Sequence, residues 1–406
     1  MQNLTRNRTS LFAERMLRAI GAVASVCLFC IAASIAGTPQ TDSRGQLSSS
    51  SDDSRRPPIG PGKVVVHTAL GGFILGYDID QSGTEGILSE ALTLDDGNAD
   101  VAVETFDQKT GKILKIVSEL TDSKSDFVTL GIFGSDIGLV EFEHVTNLFV
   151  DKRLYGTLNP LTLNKFTAKW TPPLPKADDI ISSMSVSQGF PNAAVLAFEN
   201  TGNNFSSYVF SSNVGANTFG PVIQVTDPVF DFDNSPVLAM DNGTNQAVLG
   251  SSLGCFGCST EIGLVDLTQG TVTEFKGLGL GFINGIAVDS ATGIACTTTE
   301  DDFSVEFYDL ATQTGVLVVL PGATSQAQSG EAVAVDPIHK LFLVGQPISS
   351  TAPSGSSIQV FDEQGNFIES LNGFGLPASP AFMALHPSQR AGYVLGGQTA
   401  LQSFTY

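Results

Sequence analysis

Residues Gly285 to Gly322 read GIAVDSATGIACTTTEDDFSVEFYDLATQTGVLVVLPG. Four short apolar runs, GIAV, GIACTTT, FSVEFYDL and GVLVVL, are separated by DSATG, TEDD and DLATQTG. Alternating apolar and β-branched residues between Asp, Gly, Thr and Ser clusters predict antiparallel strands joined by tight turns. The unit recurs. The polar residue that closes its first strand falls at Asp80, Asp136, Gln188, Asp241, Asp289, Asp336 and His386, at spacings of 56, 52, 53, 48, 47 and 50. A period of about 40–50 residues with four strands per period is that of a β-propeller. A second mark ends the third strand, at Asp107, Asn159, Ser212, Asp266, Asp309 and Asp362. An Asp there accepts bonds from backbone N–H groups two residues on and fastens the turn.

The seventh unit runs AGYVLGG and ALQSFTY to Tyr406, one strand short, while KVVVHTAL (Lys63 to Leu70) stands unclaimed before the first unit. The expected fold is therefore all-β, a seven-bladed propeller of four-stranded blades over 63–406, its last blade closed by the N-terminal strand. Closure of that kind removes the sticky edge that an open stack would leave.

Composition agrees. The 406 residues exceed what one core comfortably holds, unless that core is split among repeats. Gly is abundant (42 residues) and only 15% of residues are charged, as in turn-rich β proteins. Acids outnumber bases 41 to 20, for a net charge of −21. Such a surface repels phosphate backbones, so nucleic acid is not an expected partner. Its simplest role is to keep an exported protein soluble.

Ahead of the repeats, Arg15 and Arg18 precede an apolar run from Ala19 to Ala36 that exits through Ser34-Ile35-Ala36 before Gly37. This is the pattern of a secretory signal peptide, expected over 1–36, and its Ala-rich composition favours cleavage. An uncleaved membrane anchor is the alternative. Residues 37–62, rich in Ser, Pro, Gly and Asp, have almost nothing to bury and are expected to be a disordered linker. The expected location is secreted, periplasmic or cell-surface, and the expected state a monomer.

Ser357-Ile358-Gln359-Val360-Phe361-Asp362-Glu363-Gln364-Gly365-Asn366 is similar to the third strand and turn of NHL repeats. Gly285-Ile286-Ala287-Val288-Asp289 and Ala332-Val333-Ala334-Val335-Asp336-Pro337 look like NHL and YVTN first strands. The resemblance is good over 254–384 and loose over 70–236. It implies a propeller and no single activity, since such propellers include binding scaffolds, lactonases and lyases. The Gly-His and Trp-Asp pairs of WD40 blades are absent, and the one Trp, Trp170, cannot supply the tryptophans of quinoprotein blades.

Acidic clusters fall in loops assigned to one face of such a propeller, the face of the second-to-third-strand and interblade loops. They are Asp95 and Asp96 with Asp100, then Asp227, Asp231 and Asp233, then Glu300, Asp301 and Asp302. Converging carboxylates would hold Ca²⁺ through hard oxygen ligands. The plainer reading is a solvated acidic rim whose members never meet, with no cofactor at all. Asp78-Ile79-Asp80-Gln81-Ser82-Gly83 imitates an EF-hand opening, but Ser89 stands where the bidentate acid belongs, so it reads as a turn. Cys255 and Cys258 form a C-x-x-C without a second pair, and a local disulfide suits an oxidising compartment. Cys296 reads as a buried strand residue. None of the four His lies near a recognised nucleophile motif. The expected function is a propeller scaffold binding a protein, peptide or glycan at its loop-rich face, and the alternative a calcium-dependent lactonase- or lyase-like enzyme.

Overall fold

Seven antiparallel sheets follow one another along the chain in the computed structural model. It describes residues 59–67, 72–80, 83–93, 99–117, 126–134, 137–146, 149–158, 166–186, 192–199, 206–225, 237–252, 257–347, 356–374, 382–396 and 400–406. The expectations for residues 1–36 and for 37–58 lie outside these.

Blade 1 is β2 (Phe73–Ile79), β3 (Glu85–Thr93), β4 (Ala99–Asp107) and β5 (Ile113–Val117). Blade 2 is β6 (Asp126–Gly134), β7 (Ile137–Thr146), β8 (Phe149–Leu158) and β9 (Phe166–Lys169). Blade 3 is β10 (Ile180–Val186), β11 (Asn192–Glu199) and β12 (Ser206–Asn213), with β13 (Thr218–Phe219) and β14 (Ile223–Val225) both paired to β12. Blade 4 is β15 (Val237–Asp241), β16 (Gln246–Ser252), β17 (Ser259–Asp266) and β18 (Val272–Leu280). Blade 5 is β19 (Ile283–Asp289), β20 (Ile294–Thr299), β21 (Ser304–Asp309) and β22 (Thr314–Val319). Blade 6 is β23 (Ala332–Asp336), β24 (Leu341–Gln346), β25 (Ser357–Asp362) and β26 (Phe367–Leu371). The seventh sheet is β27 (Met383–His386), β28 (Ala391–Gly396) and β29 (Ala400–Thr405), with β1 (Gly60–His67) antiparallel to β29 as its outermost strand.

The first strands of successive blades touch one another in order around the molecule, and β27 of blade 7 touches β2 of blade 1. The core is split accordingly. Leu238 and Leu249 of blade 4 pack on Leu196 and Val209 of blade 3. Phe307 of blade 5 packs on Phe342 and Phe361 of blade 6. Tyr77 and Phe106 of blade 1 pack on Tyr393 and Leu401 of blade 7. Among the described residues each core cluster spans two adjacent blades, which is how a chain of this length avoids needing one large core.

The turn chemistry is built as the Asp marks require. Asp309 Oδ1 accepts from the N–H groups of Ala311 (2.9 Å) and Thr312 (3.1 Å), and Asp266 Oδ1 from Thr268 and Gln269 (2.8 Å each). In the first turns, Asp241, Asp289 and Asp336 do the same for Gly243, Ala291 and Ile338 (2.9 Å each). The EF-like stretch is also a turn, with Gly83 N–H on the Asp80 carbonyl at 3.1 Å and Thr84 Oγ1 on Asp80 Oδ2 at 3.0 Å.

Three details differ from the sequence reading. The mark of blade 3 is Asn213 and not Ser212, because it is Asn213 Oδ1 that accepts from Ala216 N–H at 2.8 Å. The fourth strand of that blade is broken in two between Phe219 and Ile223, where Gly220-Pro221 interrupts the ladder. The N-terminal strand begins at Gly60, inside the stretch read as linker. Pro61 is tolerated there because an outermost strand needs no N–H on its open side.

The residue one past the third-strand mark joins blades. Gln108, Leu267, Leu310 and Tyr406 each donate their backbone N–H to the first turn of their own blade, at 3.0–3.2 Å. Their side chains reach the preceding blade. Leu267 packs on blade 3, Leu310 on blade 4, Tyr406 hydrogen-bonds to blade 6 and Gln108 to His386 of blade 7.

Candidate binding face

Loops that join second to third strands, and loops that join blades, emerge on the same face. Over blades 4 to 6 the described part of this face comprises Gly257–Cys258, Gly281–Phe282, Glu300–Phe303 and Leu320–Glu331. Asp301 is its hub. Asp301 Oδ2 accepts from Gly257 N–H of blade 4 at 2.5 Å, and Oδ1 accepts from Gln326 Nε2 in the loop leading to blade 6. Its own N–H donates to the Leu280 carbonyl at 3.2 Å. Gly281, held at φ +83° beside it, must be glycine, since a Cβ would lie 2.4 Å from Asp301 Cγ. Gly281 N–H in turn donates to the Cys258 carbonyl at 2.8 Å.

Asp302 fastens its own loop and also reaches β18 of blade 4. Oδ1 accepts from Ser304 Oγ at 2.6 Å and from Thr299 Oγ1, and Oδ2 accepts from Leu280 N–H at 3.1 Å. Glu300 N–H donates to the Phe282 carbonyl at 2.9 Å. Farther along, Gln328 Oε1 accepts from Thr324 N–H (2.7 Å) and Thr324 Oγ1 (2.9 Å). The Gln328 carbonyl accepts from Gln346 Nε2 at 3.1 Å, and Gln346 Oε1 accepts from Gln359 Nε2 at 2.7 Å. These loops are fixed by a side-chain network that crosses blade boundaries. Between blades 6 and 7, Phe382 is 38% exposed, its ring edge-on to Tyr77 at 6.5 Å and its carbonyl accepting from the Tyr77 hydroxyl at 3.0 Å.

The candidate cation ligands therefore divide. Asp301 and Asp302 sit together on this face, both spent on protein donors. Among the described residues no three His, Cys, Asp or Glu side chains gather as a metal-holding group. Asp95, Asp96, Asp231 and Asp233 lie outside the described residues, as does Cys255. Cys258 is disulfide-bonded. Cys296 is a buried free thiol, its pKa pushed well up by burial and then by the charge of Glu306. His339 Nδ1 lies 2.7 Å from Asp336 Oδ2, and His386 Nε2 meets Gln108 Oε1. These are turn-fastening and blade-joining roles, with no hydroxyl or thiol nucleophile in either pair.

One charged cluster went unread in the sequence. Glu141 and Glu143 of β7 are fully buried, and Arg153 of β8 bonds to both, at 3.2 Å and 2.5 Å. Arg153 also donates to the Ala177 carbonyl at 3.2 Å, while Glu143 Oε1 accepts from Ile181 N–H of blade 3 at 2.9 Å. Burial first, and then the neighbouring Glu143, hold the Glu141 carboxyl well above the usual range against the pull of Arg153. The available signal was acids at i and i+2 facing an Arg across a hairpin, since Glu143 and Arg153 are direct cross-strand partners.

No protein-family model matches the chain, and no curated protein matches it. Solved structures do match in shape. They include "Structure of U3-55K" (11% identity, TM-score 0.60) and "Crystal structure of RRP9 WD40 repeats" (11%, 0.59), each covering 85% of this chain and 98% of that one. "Crystal Structure of Mitotic Checkpoint Complex" (11%, 0.56) covers 92% of this chain and 99% of the other. The chain is thus a seven-bladed propeller with WD40-repeat structural neighbours, and a likeness at this identity carries the fold alone.

Proposed function

We propose that the chain is an exported, NHL- or YVTN-like propeller scaffold that binds a protein, peptide or glycan through its loop-rich face. The observation that carries this reading is the position of Asp301, whose carboxylate ties its own loop to a loop of blade 4 and to the connector between blades 5 and 6. Loops fixed before binding lose little freedom on binding, which suits recognition of a partner. Phe382 supplies an exposed aromatic anchor, and the exposed Thr324 and Ser325 a polar margin. A protein partner is the favoured class, because one fold neighbour comes from an assembly, the Mitotic Checkpoint Complex. Export is inferred from the Arg15 to Gly37 pattern.

The calcium-dependent enzyme would need Asp301 and Asp302 to exchange donors they already hold for a cation, which weighs against it. Peptide and glycan arrays probed with the purified protein test the scaffold reading. Captured ligands should be lost from Phe382→Ala and Thr324→Arg variants that melt like wild type. Stoichiometric Ca²⁺ in the purified protein, with thermal stability lost to chelator, would replace this reading with the enzyme.

A further inference from the structure

Outer strands of a propeller blade are sheet edges, and natural edges carry charges or are kept short to stop foreign strands from pairing. This chain follows that rule in blades 1, 2, 4 and 6, where β5 has Lys115, β9 has Lys169, β18 has Glu274 and Lys276, and β26 has Glu369. In blade 3 the outer pieces are two and three residues long. Blade 5 breaks it. β22 is TGVLVV, six residues long, and no charged residue occurs from Leu310 to Gly330 in a protein of net charge −21.

The edge is also open. Among the described residues β22 pairs only with β21. Val316 (49%), Leu317 (40%) and Val319 (58%) are exposed. β18 of blade 4 runs beside β22 and adds exposed Leu278 and Leu280. Charges border this apolar strip. Asp309 stands opposite Thr314 at one end of β22, and Asp302 lies two residues before Ser304, which pairs with Val319 at the other. Glu274 and Glu369 lie on the flanking outer strands, and Lys276 is the cation among them.

We propose that β22 is a second docking surface, where an extended partner segment of alternating aliphatic residues with basic flanks adds as a fifth strand to blade 5. Main-chain bonds along the edge give affinity, exposed Val316, Leu317 and Val319 set the side-chain pattern, and the acids at both ends select positive flanks. A second copy of this chain is the poorer occupant, because it would set acid-bordered edges of two highly acidic molecules against each other. This surface lies on the outer rim and meets the loop-rich face at Asp302.

The test uses the full chain with two synthetic peptides, Lys-Lys-(Thr-Val)3-Lys-Lys and the same peptide methylated on alternate backbone amides. The first should bind, and N-methylation should weaken it at least about tenfold by removing the edge bonds. Flanking Glu pairs in place of Lys, or Val316→Lys with Val319→Lys in the protein, should each cost at least about tenfold through like-charge contact. Thr324→Arg should leave peptide binding unchanged, which separates this surface from the loop-rich face. Failure of the first peptide to bind, equal binding of the methylated peptide, or wild-type binding by the lysine variant would each overturn the proposal. Sedimentation showing a concentration-dependent dimer that the lysine variant abolishes would also overturn it, in favour of self-pairing.

Discussion

The hydroxyl of Tyr406 donates to Asp336 Oδ2 at 2.9 Å, joining the residue that follows the third strand of blade 7 to the first turn of blade 6. Asp336 is fully buried, and its other oxygen accepts from Ile338 N–H (2.9 Å) and His339 N–H (3.0 Å). One carboxylate therefore closes its own turn and holds the next blade. The Tyr406 hydroxyl is pushed well up by burial and by that carboxylate, so it stays a donor at every physiological pH.

Tyr406→Phe keeps the ring in its cluster with Phe404 and Phe374 and removes only the donor. A buried bond to a charged acceptor is worth about 1.5–3 kcal/mol. Urea unfolding should show a loss of that order with an unchanged slope. An unaltered midpoint would mean that the bond contributes nothing.

Glu141 gives a pH signature. Its folded pKa is raised above the unfolded value, so the folded state binds the extra proton. The stability this adds is complete below the unfolded carboxylate pKa of about 4.3 and is lost as pH rises through the raised folded value. Glu141→Gln, which mimics the protonated form, should flatten the decline in melting temperature above pH 5. It should also be more stable than wild type at pH 8. Parallel profiles for the two proteins would refute the assignment.

His386 works in the opposite sense. Burial lowers its pKa and keeps the ring neutral beside Gln108. Its contribution is present above the unfolded value of about 6.5 and is lost as pH falls through the lowered folded value. A His386→Gln variant should therefore lose less stability than wild type between pH 7 and pH 5, measured by thermal melts. An acid limb as steep as that of wild type would contradict it.

How much was legible follows from where the information sits. Asp241, Asp266, Asp289, Asp309 and Asp362 could be read because each fastens a turn to residues within four positions of itself, and the repeat copies that requirement. The blade-joining position was harder to read, because Gln108, Leu267, Leu310 and Tyr406 share a place in the blade while two are aliphatic and two polar. Gln108 answers to His386 and Tyr393, 278 and 285 residues away, and Tyr406 to Asp336, 70 residues away. Glu300, Asp301 and Asp302 lie in one loop, but the donors that engage Asp301 come from blade 4 and from the loop joining blades 5 and 6. Nothing local in the sequence announces them. The buried Glu141–Glu143–Arg153 cluster was hidden for the opposite reason, since charges in a strand read as solvent-facing.

In blade 7 the chain's own N-terminal strand lies beside β29, in the register Gly60 to Thr405 and His67 to Ala400. Chains beginning at residue 59 and at residue 68 would measure what that strand contributes. The first should melt with the full-length protein. The second should melt lower by roughly 5 °C or more and associate through the uncovered edge of β29 as concentration rises. Identical melting of the two, with both remaining unassociated, would contradict a ring held shut by β1.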